Sequence, residues 1–413
     1  MPWLDLAQPR ARWQARGMAM PAPNPAAAAA NRLGMAALQA GDGSAAAAHF
    51  REAVTADPRS GALQRNLASA YRLANDDAGE RAALEAAIAI DQRDFMAWLR
   101  KAELHERQGE NASALGAWNA AVQLAAGLNP LPPPLVPLIQ HGRDYIARAT
   151  TGIAAAVDEA LAPMLADADP ASARRGAAFA AHALKGRPVY QNQCAGLFYP
   201  FLPADEFFDD HHFPWFAAFE ATTAAIRAEL QALLADPGDA LRPYVRMGEG
   251  APDSIWSGLD NRLDWGACFL WEYGVPNQLV LDRCPATAAA LAAIPGSRIA
   301  GRSPSAFFSL LRPRTRIPPH TGVTNTRAIV HLPLIVPPGC GFRVGGETRV
   351  WVEGKAFAFD DTIEHEAWND SDELRAVLIC DVWNPHLSAA EQAMITAYYA
   401  AADATGFSML PTG

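Results

Sequence analysis

Phe359-Asp360-Asp361-Thr362-Ile363-Glu364-His365-Glu366-Ala367-Trp368 is the stretch on which the reading of this chain turns. Its histidine has a counterpart upstream in Pro318-Pro319-His320-Thr321-Gly322, and Arg375 follows ten residues after His365. Imidazole suits Fe(II), and an open iron site needs its protein ligands on one face so that small ligands can take the other. Two histidines on distant strands and an arginine on the next strand are the parts of such a site with a dicarboxylate anchor beside it. The carboxylate that usually stands two residues after the first histidine is absent, because Gly322 holds that place.

Outward from these blocks the sequence reads as strands. Residues 306–311, 327–336, 341–344, 348–352, 356–359 and 375–383 are rich in aromatic and β-branched residues. Turn chemistry separates several of them: Pro337-Pro338-Gly339, Gly345-Gly346 and Glu353-Gly354-Lys355. Closely spaced antiparallel strands of this kind suggest a jelly roll, two sheets whose open mouth holds a ligand. Ser388-Ala389-Ala390-Glu391 is a capping box that opens a terminal helix through Ala401.

The chain has 413 residues, too many for one core, and half of them are hydrophobic. A net charge of -10 argues against nucleic acid or an anionic membrane as partner. No apolar run is long enough to span a bilayer, and the start Met1-Pro2-Trp3-Leu4-Asp5-Leu6 has no basic segment leading an apolar one, so a cytoplasmic location is expected. The five cysteines are scattered without a CxxC pair, which indicates neither a disulfide framework nor a zinc site.

Residues 27–128 repeat with a period of 34. Gly34, Ala68 and Ala102 are in register, as are Phe50, Leu84 and Trp118, and Ala53, Ala87 and Ala121. Small residues at fixed offsets let paired helices approach while a large one fills the gap. This pattern resembles three copies of the tetratricopeptide repeat. Asp57-Pro58 ends the first copy as that family does, whereas Gln92 and Ala126 stand at the equivalent places later. Prolines from Pro130 to Pro137 predict a stiff extended linker, and 139–185 a helical spacer. A further helix is expected over 217–234. The expected organisation is a tail (1–26), the repeats (27–128), linker and spacer (129–188), a catalytic unit (189–387) and a C-terminal helix with its tail (388–413).

Five pieces, in order and at matching spacing, make residues 309–385 resemble the aspartyl/asparaginyl β-hydroxylase family of 2-oxoglutarate-dependent oxygenases. They are Pro319-His320-Thr321-Gly322-Val323-Thr324-Asn325, Val330-His331-Leu332, Gly346-Glu347-Thr348-Arg349, the Phe359 to Trp368 block and Asp381-Val382-Trp383-Asn384-Pro385. Weaker likeness reaches back to about Tyr190, and animal members also carry a tetratricopeptide segment before the oxygenase. The resemblance implies a multidomain α + β chain, with an N-terminal tetratricopeptide α-solenoid followed by a double-stranded β-helix (jelly roll) oxygenase domain.

The resemblance also implies roles. His320 and His365 would ligate Fe(II). Arg375 would grip the C5 carboxylate of 2-oxoglutarate through paired bonds, with Ser309 adding a hydroxyl donor. His331 would bind the C1 carboxylate. Asp360, Asp361, Glu364 and Glu366 crowd the second histidine and are candidate acceptors for the ligand imidazoles. Family members have an arginine two residues before the equivalent of His331, where this chain has Ile329; Arg327, on the same strand face, is the candidate substitute. Trp256, Trp265 and Trp271 are expected as aromatic core sooner than cleft lining, and His211-His212 as structural or surface residues.

With Fe(II), 2-oxoglutarate and O2, the implied activity is hydroxylation of a peptide or protein at the β-carbon of Asp or Asn, the repeats helping to hold the substrate. Two alternatives stand beside it: hydroxylation of a small molecule or lipid, and a non-enzymatic repeat scaffold, against which the intact His320, His365 and Arg375 count. Loss of the carboxylate also opens a halide position in principle, but the family accounts for Gly322 without it.

Overall fold

The computed structural model describes residues 24–128, 130–184 and 186–406, and the chain divides into two compact units, Met1–Ala168 and Asp169–Gly413. Most of the expected N-terminal tail lies outside the described residues.

The first unit is a stack of helix pairs: α1 (Pro25–Gln39) with α2 (Gly43–Ala56), α3 (Gly61–Leu73) with α4 (Asp77–Ile90), and α5 (Phe95–Arg107) with α6 (Asn111–Ala125). The second helices begin at Gly43, Asp77 and Asn111, one 34-residue period apart. The aligned columns are the reason for the stacking. Phe50, Leu84 and Trp118 are fully buried, and so are Ala53, Ala87 and Ala121. A methyl group built on Gly34 would lie 2.7 Å from the Phe50 ring, so the small residue is required by the large one opposite. Asn24, Asp42, Ser60, Asp76 and Asp94 cap the first five helices with side-chain bonds to backbone N–H groups, each worth about 1 kcal/mol. These are tetratricopeptide-like helical repeats.

The proline-rich stretch does not form an extended linker. Pro133–Leu135 makes a 3-10 turn that runs into α7 (Val136–Asp167), with proline in the first helical turn, where its missing N–H has no partner to lose. Gly142 of α7 packs against Trp118, so α7 continues the stack. The stretch expected as one spacer is thus shared between α7 in the first unit and α8 (Pro170–Ala183) in the second.

The second unit is built on antiparallel sheets. Its strands are β1 (Arg242–Pro243), β2 (Trp265–Glu272), β3 (Val275–Pro276), β4 (Ala306–Leu311), β5 (Thr315–His320), β6 (Arg327–Ile335), β7 (Cys340–Val344), β8 (Glu347–Arg349), β9 (Phe357–Phe359), β10 (His365–Asn369) and β11 (Arg375–Trp383). One sheet has the order β1-β2-β4-β11-β6-β9, with β3 on β2; the other has the order β5-β10-β7-β8. From β4 onward the chain passes back and forth between the two. Leu311, Phe357, Phe359 and Val377 of the large sheet share a core with Ile317, Phe342, Val344 and Ala367 of the small one. The other face of the large sheet packs on helices α9 (Phe216–Glu220), α10 (Thr223–Ala235), α11 (Gln278–Leu281) and α12 (Pro285–Ala293).

Three local outcomes differ from the expected elements, and the first is that the strand expected over 348–352 is β8, which ends at Arg349. The helix expected over 217–234 breaks between α9 and α10, where Thr222 and Thr223 hydroxyls donate to the carbonyls of Phe219 and Glu220 at 2.6 Å. Thr315–His320 is a strand despite Pro318 and Pro319, because β5 is the edge of its sheet and a missing N–H costs little there. The terminal helix, α13 (Ala389–Ala404), starts on the expected Ser388–Glu391 capping box.

Candidate active site

Antiparallel pairing of β5 with β10 puts His320 directly opposite His365. Their ring centroids are 4.0 Å apart. Each ring is held by its own backbone: His320 Nδ1–H donates to the Pro318 carbonyl at 2.8 Å and His365 Nδ1–H to the Ile363 carbonyl at 3.0 Å. That bond fixes the tautomer and leaves Nε2 of both rings with a free lone pair, the usual arrangement of a metal-binding imidazole. Burial holds both rings neutral, pulling His365 down to about 3 with His320 adding to the effect, and lowering His320 as well. The acceptors are thus backbone carbonyls, not the carboxylates that crowd His365 in sequence. Glu364 and Glu366 pair with Arg343, and Asp360 accepts from the Thr362 backbone and hydroxyl and from Asn192.

Arg375, at the start of β11, is 1% exposed. Its Nη1 donates to the carbonyl and the hydroxyl of Ser309, at 3.2 and 3.1 Å, and its guanidinium lies 4.8 Å from the Trp351 ring centroid. Its Nε is buried with no acceptor, and among the described residues its bonds go to Ser309 and to no carboxylate. Burial lowers its pKa to about 10, so the group is still charged at neutral pH. A buried, charged guanidinium without a carboxylate partner is costly.

His331 lies in the same interior, on β6, among the rings of Phe342, Phe357 and Phe359. Trp351 Nε1–H donates to His331 Nδ1 at 3.4 Å, a long bond, which leaves the other ring nitrogen to carry the proton. Burial, Arg375 and His365 together push its pKa far down, so it is a neutral donor between the guanidinium and the histidine pair. Ser309, on β4, accepts at Oγ from Trp265 Nε1 as well as from Arg375.

Arg327 stands apart from this group. It pairs with Asp381 at 2.5 Å and donates to the Arg302 carbonyl. Burial works against its charge, yet Asp381 and Asp361 hold its pKa above the ordinary value. It lines a cavity of about 710 Å³ with Arg302, Thr324, Tyr398 and Tyr399. Along β6 it is four residues from His331, roughly 13 Å at the rise of a strand. Its charge is already answered, unlike that of Arg375.

Gly322 is a matter of space. A Cβ there would fall 2.1 Å from a carboxylate oxygen of Asp361, and the glycine does not sit in the left-handed backbone region. The Asp361 carboxyl therefore occupies the volume that a side chain at 322 would need. Burial raises its pKa to about 7, with Arg327 opposing and Asp360 and Asp381 adding. Among the described residues no group of three or more His, Cys, Asp and Glu side chains could hold a metal ion.

Sequence reading alone singled out neither Trp351 nor the Trp265 bond. Trp265 is buried as core and also contacts Ser309; Trp256 stands 4.9 Å from the His320 ring; Trp271 packs on the opposite face of the large sheet. No spacing along the chain marked these two indoles, because which indole N–H turns inward depends on strand register. His211 and His212 lie outside the site, His212 near His386, which bonds Asp205.

Residues 220–385 match the family model described as aspartyl/asparaginyl beta-hydroxylase. The mouse aspartyl/asparaginyl beta-hydroxylase is 40% identical over 132 residues, which is 32% of this chain and 18% of that protein. The ornithine lipid ester-linked acyl 2-hydroxylase of Rhizobium tropici is 36% identical over 181 residues, 43% of this chain and 60% of that protein. This chain thus spans less than two thirds of each of these curated relatives. Among solved structures, the TPR2B domain of yeast Sti1 in complex with pHsp70 is 23% identical and covers 30% of this chain, with 97% of that chain covered and a TM-score of 0.28. Residues 220–385 are thus similar to the beta-hydroxylase family, and both of these curated relatives bear the names of hydroxylases.

Proposed function

We propose that this chain is a hydroxylase dependent on Fe(II), 2-oxoglutarate and O2, acting in the cytoplasm on Asp or Asn residues of a protein or peptide. The observation that carries the reading is Arg375, a buried guanidinium without a carboxylate, in one interior with two neutral histidines whose Nε2 atoms are free. The residues fit the absent groups. His320 and His365 would hold the metal, Arg375 and Ser309 the distal carboxylate of 2-oxoglutarate, and His331, through its N–H, the carboxylate nearer the metal. When bound, the iron and 2-oxoglutarate supply the oxidising chemistry that activates O2. The protein's own part is to keep the imidazoles neutral, orient them through backbone carbonyls, and surround the pocket with Phe342, Phe357, Phe359 and Trp351, which exclude water.

The alternation of β4 to β11 between two sheets supports the finer architecture, a double-stranded β-helix. Five free cysteines fit a reducing compartment. The repeats are the proposed holder of a peptide substrate, as stacked helix pairs present an extended surface.

One observation favours a second substrate. The match to the Rhizobium tropici lipid hydroxylase covers 60% of that protein, so an acyl chain is the alternative acceptor. The deciding experiment offers purified protein, with Fe(II) and 2-oxoglutarate, Asp- and Asn-containing peptides and acylated lipids in parallel. Succinate release coupled to addition of one oxygen atom to a peptide supports the proposal; the same result with lipid alone replaces the substrate; no succinate in any arm refutes the chemistry.

A further inference from the structure

The hydroxyl of Ser309 is spoken for on its acceptor side. Trp265 Nε1–H and Arg375 Nη1–H both donate to Oγ, each at 3.1 Å. A hydroxyl has two acceptor lone pairs and one hydrogen. With both lone pairs used, its hydrogen can only be given away, and among the described residues no acceptor takes it. The side chain is fully buried, so its rotamer is fixed by these two donors rather than by solvent.

We infer that Trp265 is a positioning residue: its indole N–H turns the Ser309 hydroxyl into an obligate donor aimed, with Arg375, at an incoming carboxylate. This rests on the proposed binding of 2-oxoglutarate and adds a residue that acts through another. Trp265 is held for the task. It lies on β2, where Ala267 is the cross-strand partner of Ser309, and its ring stacks on Tyr244 with centroids 3.9 Å apart. Without the indole donor, one Oγ lone pair is left open, and the hydroxyl gains a rotamer in which its hydrogen no longer faces the ligand. A carboxylate that loses an aligned donor in a buried pocket loses affinity. A ligand without that carboxylate does not notice.

The test compares 2-oxoglutarate with 2-oxopentanoate, which carries a methyl group in place of the distal carboxylate. Affinities are measured by anaerobic calorimetry on the full-length Fe(II) protein, so the readout is binding and not turnover. Trp265→Phe should weaken 2-oxoglutarate by roughly tenfold, the range of one hydrogen bond to a charged group. It should leave 2-oxopentanoate within about twofold, a difference too small to reflect the loss of such a bond. In a Ser309→Ala background the same substitution should have no further effect on 2-oxoglutarate, because the group it orients is gone. Replacing Trp265 by benzothienylalanine, which keeps the bicyclic shape and removes only the N–H, gives the same result without disturbing the stack on Tyr244.

Equal losses for the two ligands, unchanged 2-oxoglutarate affinity, or additive effects with Ser309→Ala would each overturn the inference. A wild-type protein that binds the two ligands equally well would overturn the reading of the pocket itself, and the role of Trp265 with it.

Discussion

Replacing Arg375 by methionine separates a residue kept for a ligand from one kept for the fold. The guanidinium is 1% exposed, with Trp351 against its face and, among the described residues, only Ser309 accepting from it. Burial lowers its pKa from the ordinary arginine value to about 10. The unfolded chain therefore binds the proton more tightly than the folded one, and stability rises with pH from about 10 up to the ordinary arginine value. Below pH 10 the whole cost is present, roughly 3 kcal/mol at about 1.4 kcal/mol per tenfold. Methionine removes that cost and loses the Ser309 bonds and the ring contact, on the order of 1 kcal/mol each. The ligand-free variant should thus be as stable as the parent, or more stable by about 1 kcal/mol, near neutral pH. A structural ion pair would instead cost about 3–5 kcal/mol when broken. Affinity for 2-oxoglutarate should fall by about 2–5 kcal/mol, or on the order of 30- to 5000-fold, because its carboxylate would enter unmatched. Lysine should restore only part, lacking the two-donor fork. Urea unfolding of the ligand-free protein and anaerobic calorimetry with 2-oxoglutarate measure the two quantities. Unchanged affinity would refute the anchor, and a loss of several kcal/mol in the ligand-free state would show that Arg375 serves the fold.

Three further outcomes are expected. His320→Ala or His365→Ala should remove most Fe(II) binding and abolish succinate formation, since one imidazole cannot hold the metal alone; near-normal succinate release from either would contradict the site. Gly322→Asp should destabilise the protein, because its Cβ would fall 2.1 Å from the Asp361 carboxylate, and it should also lower turnover; pairing it with Asp361→Gly should recover the folded state in thermal melts. If Gly322→Asp alone proves as stable as the parent and more active, the two-histidine reading is wrong. A chain beginning at Asp169, the first residue of the second unit, should fold and retain 2-oxoglutarate oxidation while losing efficiency on a protein substrate. Equal efficiency on that substrate would remove the repeats from substrate capture.

The amino-acid sequence determined the elements whose information is local. A period of 34 with small and large residues in fixed columns specifies stacked helix pairs, and Gly34 against Phe50 shows the fit that the period encodes. Ala306–Leu311 and Arg375–Trp383 were legible as strands to the residue, since their β-branched and aromatic runs have one structural solution. The histidine blocks and Arg375 stood out because such residues are rare in buried strands. Tertiary structure alone decided what pairing across long separations creates. The register of β5 on β10 sets His320 against His365, and the strand at Thr315–His320 was hidden behind its prolines until its edge position was known. Four nearby carboxylates made a tempting shell for the imidazoles, yet the backbone carbonyls of Pro318 and Ile363 lie closer in the fold and take the bonds. The glycine at 322 looked like a missing ligand, and the reason no side chain fits there, Asp361 folded back from β10's leading turn, belongs to contacts that no spacing along the chain contains.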